Sequence, residues 1–66
     1  RERLDRDIIS VETHLGTIPF KVARRGGEVM NASPEFDHCV RIAEKEGVSV
    51  KNVQAIAMKA YLDLSN

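Results

Sequence analysis

Large side chains are scarce in this chain: 66 residues carry no Trp, one Tyr and two Phe. A domain of this size buries only about 60% of its unfolded-chain surface, so with few aromatic anchors the core is marginal. Help from a partner subunit or from more of the same chain is therefore expected. The single cysteine, Cys39, excludes an internal disulfide and suggests a reducing, cytoplasmic setting. No apolar run approaches the roughly 20 residues of a membrane span, and no signal-peptide pattern is present. No CxxC or HxxxH pair exists. Asp37, His38 and Cys39 are consecutive, so on a helix they point about 100° apart and cannot converge on one ion. No metal site of the chain's own is expected. Ten basic residues are offset by ten acidic ones. That neutrality argues against nucleic acid, which needs a basic field and, on a sheet, exposed rings to stack on.

What is present reads as one small domain over residues 1–66. Arg1 opens it in mid-pattern, so it is expected to be a piece of a longer protein. Residues 1 to 7 are almost all charged, a frayed start or the solvated end of a strand. From Ile8 the pattern alternates: Ile9, Val11 and Thr13 to one side, Ser10 and Glu12 to the other. His14-Leu15-Gly16-Thr17 reads as a turn, and Ile18, Phe20 and Val22 begin a second strand that contains Pro19. Gly26-Gly27 fits a two-residue hairpin, because a type I′ turn needs positive φ at both centres. Glu28 to Ala32 is the third strand.

Ser33-Pro34-Glu35 has the signature of a helix start: Ser as N-cap, Pro at N1, an acid at the positive end of the dipole. Phe36, Cys39, Val40 and Ala43 then recur at helical spacing, and Gly47 ends that helix. Ser49 caps a second helix with Val53, Ile56, Ala57, Ala60 and Leu64 on one face. The fold class is α+β: a three-stranded antiparallel meander followed by two helices on one face, β-β-β-α-α.

The two turns imply a register. Arg25 pairs with Glu28, Arg24 with Val29, Ala23 with Met30 and Val22 with Asn31. Thr13 pairs with Ile18, Val11 with Phe20 and Ile9 with Val22. One face then gathers Ile9, Val11, Ile18, Phe20, Val22 and Val29 for the helices to cover. Arg24 and Asn31 fall on that face and need the rim or a partner. Lys21 and Glu12 lie diagonally on the other face, an exposed pair. A second stripe on the last helix, Ala55, Met58 and Leu62, faces away from the first and points to a homo-oligomer or a neighbouring domain.

The arginine-glycine hairpin Arg24-Arg25-Gly26-Gly27 admits two readings. Glycine amides and guanidiniums can cradle a phosphate. Phosphate fingerprints, however, put their glycines between a strand and a helix, whereas these lie between two strands, which favours a plain hairpin. Cys39 reads as a small core residue, and His14 as a solvated turn residue with a minor prospect of meeting a ligand. Ser33 has neither base nor oxyanion hole nearby and is no nucleophile.

The run VETHLGTIPFKVARRGGEVMNASPEFDHCVRIAEKEGVSVKNVQ, residues 11 to 54, resembles the C-terminal end of the LarC family. The resemblance is carried by Val11-Glu12-Thr13 before a Gly turn, Lys21-Val22-Ala23, and a Gly followed by Val29 and Asn31. Pro34-Glu35-Phe36, Cys39 and Gly47-Val48 complete it, in one order without gaps. These are nickel insertion proteins of nickel-pincer nucleotide cofactor biosynthesis, long catalogued as uncharacterised conserved proteins. The resemblance implies a full-length cyclometallase of the lyase class. It would insert nickel into pyridinium-3,5-bisthiocarboxylic acid mononucleotide, depend on CTP with Mn²⁺ or Mg²⁺, and make the cofactor of lactate racemase. It further implies that this C-terminal part binds nucleotide and assembles into oligomers, and is inactive without the rest of the parent chain. Lys21, Arg24, Arg25, Asn31 and Glu35 match the family's polar pattern and are the candidate contacts to nucleotide phosphates or to a subunit interface. The alternative is a purely structural assembly module with no ligand of its own.

Overall fold

In the computed structural model, which describes residues 4 to 64, the elements follow in the order β1 (Leu4–Thr13), β2 (Gly16–Arg25), β3 (Glu28–Pro34), α1 (Phe36–Glu46) and α2 (Val50–Leu64). The strands form one antiparallel sheet in the order β1-β2-β3, and the helices pack on one side of it. This is the α+β arrangement that the periodicities imply. What was read for residues 1 to 3 lies outside the described residues, but Leu4 to Asp7 are strand and not a frayed start.

The core is made of Val11, Ile18, Phe20 and Val22 from the sheet, Cys39, Ile42 and Ala43 from α1, and Val53 and Ala57 from α2. Ile42 is missing from the stripe inferred for α1. Phe36, which that stripe included, is 59% exposed at the helix start, and Leu64 is exposed at the end of α2. Tyr61 is half-buried against the core and stacks on Phe20. Met58 of the second α2 stripe also packs against the core, while Ala55 and Leu62 stay exposed.

The first turn is tighter than inferred. His14 and Leu15 alone make it, so Thr13 pairs with Gly16, Val11 with Ile18 and Ile9 with Phe20. The slip relative to the inferred register is two residues, and an even slip leaves every side chain on its face. Thr13 holds the turn from within: its Oγ1 donates to the Gly16 carbonyl at 2.7 Å and accepts the Leu15 N–H at 3.0 Å. A local hydroxyl thus does what a longer loop was expected to do.

The second hairpin turns at Gly26 and Gly27, with φ of 58° and 83°, and keeps Arg25 opposite Glu28 and Arg24 opposite Val29. The ladder then shifts: Ala23 pairs with Asn31, Val22 with Ala32 and Phe20 with Pro34, so Met30 is an extra residue in a β-bulge. The bulge corrects the inferred position of Asn31. Opposite Val22, on the face the helices cover, stands Ala32, which is half-buried against the core. An unbroken ladder would put an amide there at a desolvation cost, whereas a methyl group packs.

β3 runs on to Pro34, so Ser33 is a strand residue and not an N-cap, and Pro34 does not open the helix. The N-cap is Glu35, without a side-chain cap. Its N–H is bonded to the Pro19 carbonyl at 2.9 Å, which ties the strand-to-helix junction to the centre of the sheet. The other caps are as inferred. Gly47 has φ 71°, and its N–H and that of Val48 both reach the Ala43 carbonyl. The Ser49 Oγ accepts the Asn52 N–H at 3.1 Å.

The Cα radius of gyration is 12.8 Å and the extents are 46 × 25 × 15 Å. A compact chain of this length would have a radius near 11 Å. The excess lies in the sheet. Leu4 to Ile8 and Arg25 to Asn31 are exposed, so this end of the meander projects beyond the helices as an arm.

Candidate functional site

Alternation along β2 sends Ile18, Phe20 and Val22 to the helices and Lys21, Ala23 and Arg25 to the outer face of the sheet. Residues directly paired across strands share a face. Opposite Lys21, Ala23 and Arg25 on β3 stand Ser33, Asn31 and Glu28, and on β1 stand Ile8, Arg6 and Leu4. The bulge at Met30 therefore brings Asn31 onto the face of Lys21 and Arg25, where an unbroken ladder would have turned it away.

Glu35 joins this group from the start of α1. Its carboxylate lies 3.4 Å from the Lys21 Nζ, with side-chain exposures of 38% and 65%. The inferred partner of Lys21, Glu12, is not a neighbour: it stands opposite Thr17 and accepts that hydroxyl at 2.7 Å, whereas Lys21 stands opposite Ile8. Arg24 is the candidate that the fold separates from the others. It lies on the helix-side face of the arm, where its guanidinium pairs with Asp7 at 2.5 Å. It thus has the partner that its place on that face demanded.

The outer face is open and mixed in character. A shallow cavity of about 240 Å³ is lined by Arg6, Asp7, Ile8 and Lys21; Ile8 on β1 and Met30 on β3 are both exposed. Arg6 and Ile8 were not among the candidates inferred from sequence. The signal was available, because Leu4, Arg6 and Ile8 continue the alternation of β1 backwards into the charged run. A second cavity, of about 300 Å³, lies between the first turn and the end of α2, lined by Glu12, Thr13, His14, Ile56, Lys59, Ala60 and Asp63. His14 thus lines one cavity with Glu12, two residues before it, and with Asp63, which is distant in sequence.

Chemically, the outer face offers two cations, Lys21 and Arg25, four residues and so roughly 13 Å apart along β2, with Asn31 opposite the residue midway between them as a hydrogen-bonding group. Glu35 adds a carboxylate beside Lys21. Among the described residues no cluster of three or more His, Cys, Asp or Glu could hold a metal ion by itself. A hard divalent cation carried by phosphates, with one protein carboxylate, does fit this donor set. Cys39 takes no part: it is buried in the core, and burial pushes its thiol pKa up.

Comparison with known proteins gives the chain its relatives. The family model for nickel insertion proteins matches residues 1–54. The pyridinium-3,5-bisthiocarboxylic acid mononucleotide nickel insertion protein of Thermotoga petrophila is 48% identical over 48 residues, 73% of this chain and 12% of the relative. The protein of the same name from Thermotoga sp. strain RQ2 is 36% identical over 59 residues, 89% of this chain and 15% of the relative. Among solved structures, LarC2 superposes with a TM-score of 0.80 over 88% of this chain and 40% of that one. It is the C-terminal domain of a cyclometallase involved in the synthesis of the NPN cofactor of lactate racemase, in apo form. At 24% identity this is a likeness of fold. The chain spans about 15% of the length of the curated relatives it matches. With the family model covering most of its length, the chain belongs to the nickel insertion protein family.

Proposed function

We propose that this chain is the nucleotide-binding and oligomer-forming C-terminal part of a cyclometallase. The whole enzyme would insert nickel into pyridinium-3,5-bisthiocarboxylic acid mononucleotide to make the nickel-pincer cofactor of lactate racemase, using CTP with Mn²⁺ or Mg²⁺. The supporting observation is the outer sheet face. Lys21, Arg25 and Asn31 share it, and Lys21 meets the Glu35 carboxylate at 3.4 Å. In this reading Lys21 and Arg25 bind phosphate oxygens, Asn31 orients the nucleotide, and Glu35 contacts the divalent ion that the phosphates carry. Arg24, paired with Asp7, shapes the arm and contributes little directly. The work of the whole protein requires the remainder of the parent chain, in the cytoplasm.

Calorimetric titration of CTP with Mn²⁺ tests this. Lys21→Ala is expected to weaken binding at least about tenfold, the scale of one charge-assisted phosphate contact. Arg24→Ala is expected to have a smaller effect. Absence of CTP binding by the chain assembled with its parent protein would overturn the reading.

A second reading, a purely structural assembly module, is favoured by the exposed Ala55 and Leu62 on α2. It predicts self-association lost in Leu62→Glu and no nucleotide binding at all.

A further inference from the structure

The two edges of the sheet differ. β3 is blunted: it carries the bulge at Met30 and ends in Pro34, whose nitrogen has no proton to donate. β1 has neither a bulge nor a proline, and its charges, Asp5, Arg6, Asp7 and Glu12, are what guard it. It is ten residues long, without Gly, Pro or bulge, and one side of its backbone faces away from β2. Ile8 is 63% exposed on this strand, and Arg6 has no ion-pair partner among the described residues. An open edge of this length is a template for another strand.

We propose that β1 pairs antiparallel with β1 of a second copy of this chain, about a two-fold axis at Ile9, giving a continuous six-stranded sheet. The sequence of β1 is self-complementary in that register. Arg6 comes opposite Glu12 of the other copy on the outer face, twice by symmetry, and Ile8 opposite Ser10 with the two Ile8 side chains diagonal to each other. Neighbouring registers fail. Centring on Ile8 sets Glu12 against Leu4, and centring on Ser10 sets it against Ile8; both leave Arg6 without an acid. Centring on Arg6 sets Asp5 against Asp7, like charges directly opposed.

The helix side agrees. α2 covers the Val11–Thr13 end of β1, since Thr13, Ile56 and Lys59 line one cavity and Val11 is fully buried. The Asp5–Asp7 end is exposed. A two-fold at Ile9 lays the covered half of each strand against the bare half of the other, and brings Asp5 opposite Thr13, the side on which Lys59 lies. The inference does not depend on nucleotide binding and uses a surface separate from Ala55 and Leu62.

Sedimentation equilibrium of the chain, with far-UV circular dichroism as the control for folding, tests it. The expected result is a dimer. Arg6→Glu and Glu12→Arg should each weaken it about tenfold, because two symmetry-related pairs turn repulsive. The combined Arg6→Glu/Glu12→Arg chain should recover most of the affinity. A folded monomer at roughly millimolar concentration overturns the proposal, including the case where β1 amides gain protection only within the longer protein. A dimer indifferent to both swaps, or lost only in Leu62→Glu, overturns it as well.

Discussion

The ring of Tyr61 lies over that of Phe20, with centroids 5.0 Å apart and planes 11° from parallel. Phe20 sits at the centre of the sheet, between Ile9 on β1 and Pro34 on β3, and is fully buried. Tyr61 comes from the last turn of α2, so this contact fastens the C-terminal helix onto the middle strand. Phe20→Ala is expected to remove about 3–5 kcal/mol. A chain this short has a total stability of only roughly 3–10 kcal/mol, so that variant should be largely unfolded. Tyr61→Leu keeps apolar area but loses the stack and should cost about 1 kcal/mol. Urea titration followed by circular dichroism measures both, and a Tyr61→Leu chain as stable as the parent would show that the stack does not matter.

The buried Cys39 thiol makes stability fall in alkali. Burial raises its pKa, so the folded chain keeps a proton that the unfolded chain loses. Below the ordinary thiol pKa of about 8.5 both states hold the proton and Cys39 contributes no slope. Above it the unfolded state binds fewer protons, and stability declines as pH rises. The stability difference between the wild-type chain and Cys39→Ala should therefore shrink between about pH 7 and about pH 10. A difference that stays constant across that span would mean the thiol ionises equally well in the folded state.

The bulge residue should be dispensable to the fold. Arg24–Val29 and Ala23–Asn31 are already the pairs on either side of Met30, so deleting it leaves an uninterrupted ladder with every other side chain on its present face. The Met30 deletion is expected to stay folded, within about 1 kcal/mol of the parent chain. Cross-strand nuclear Overhauser contacts between residues 23 and 31 should persist. Their replacement by contacts between residues 22 and 31 would place the bulge elsewhere.

Removing the Glu35 charge should separate stability from binding. The Lys21–Glu35 pair is exposed and worth at most about 1 kcal/mol. Glu35→Gln is thus expected to leave the urea midpoint nearly unchanged. If Glu35 contacts the divalent ion, the same variant loses most of the Mn²⁺ dependence of CTP binding in calorimetry. Full Mn²⁺ dependence in Glu35→Gln would remove Glu35 from the site.

Local signals in the sequence predict much of this architecture because their causes are local. Gly26-Gly27 between alternating runs specifies a hairpin through positive φ, and Gly47 and Ser49 end and begin helices through backbone groups a few residues away. Ser33-Pro34 misled for an instructive reason. Its capping propensity is genuine, but Ser33 and Pro34 are held in the ladder opposite Lys21 and Phe20, and the Glu35 N–H is engaged by Pro19. Sheet pairing outweighs a cap worth about 1 kcal/mol. The ion pair of Lys21 with Glu35 and that of Arg24 with Asp7 were likewise hidden, since each joins residues set side by side only by register and by the strand-to-helix junction.

By itself the sequence determined the order of elements, the two apolar faces that meet in the core, the glycine turns, and membership of the nickel insertion family. Tertiary structure alone decided which of two neighbours, Asn31 or Ala32, would face the helices, and it chose by inserting a bulge at Met30. The reason is energetic and non-local. The cost of burying an amide arises only once α1 and α2 cover the sheet, so no window of sequence around Asn31 contains it. The same choice put Asn31 beside Lys21 and Arg25, and with it the composition of the candidate site.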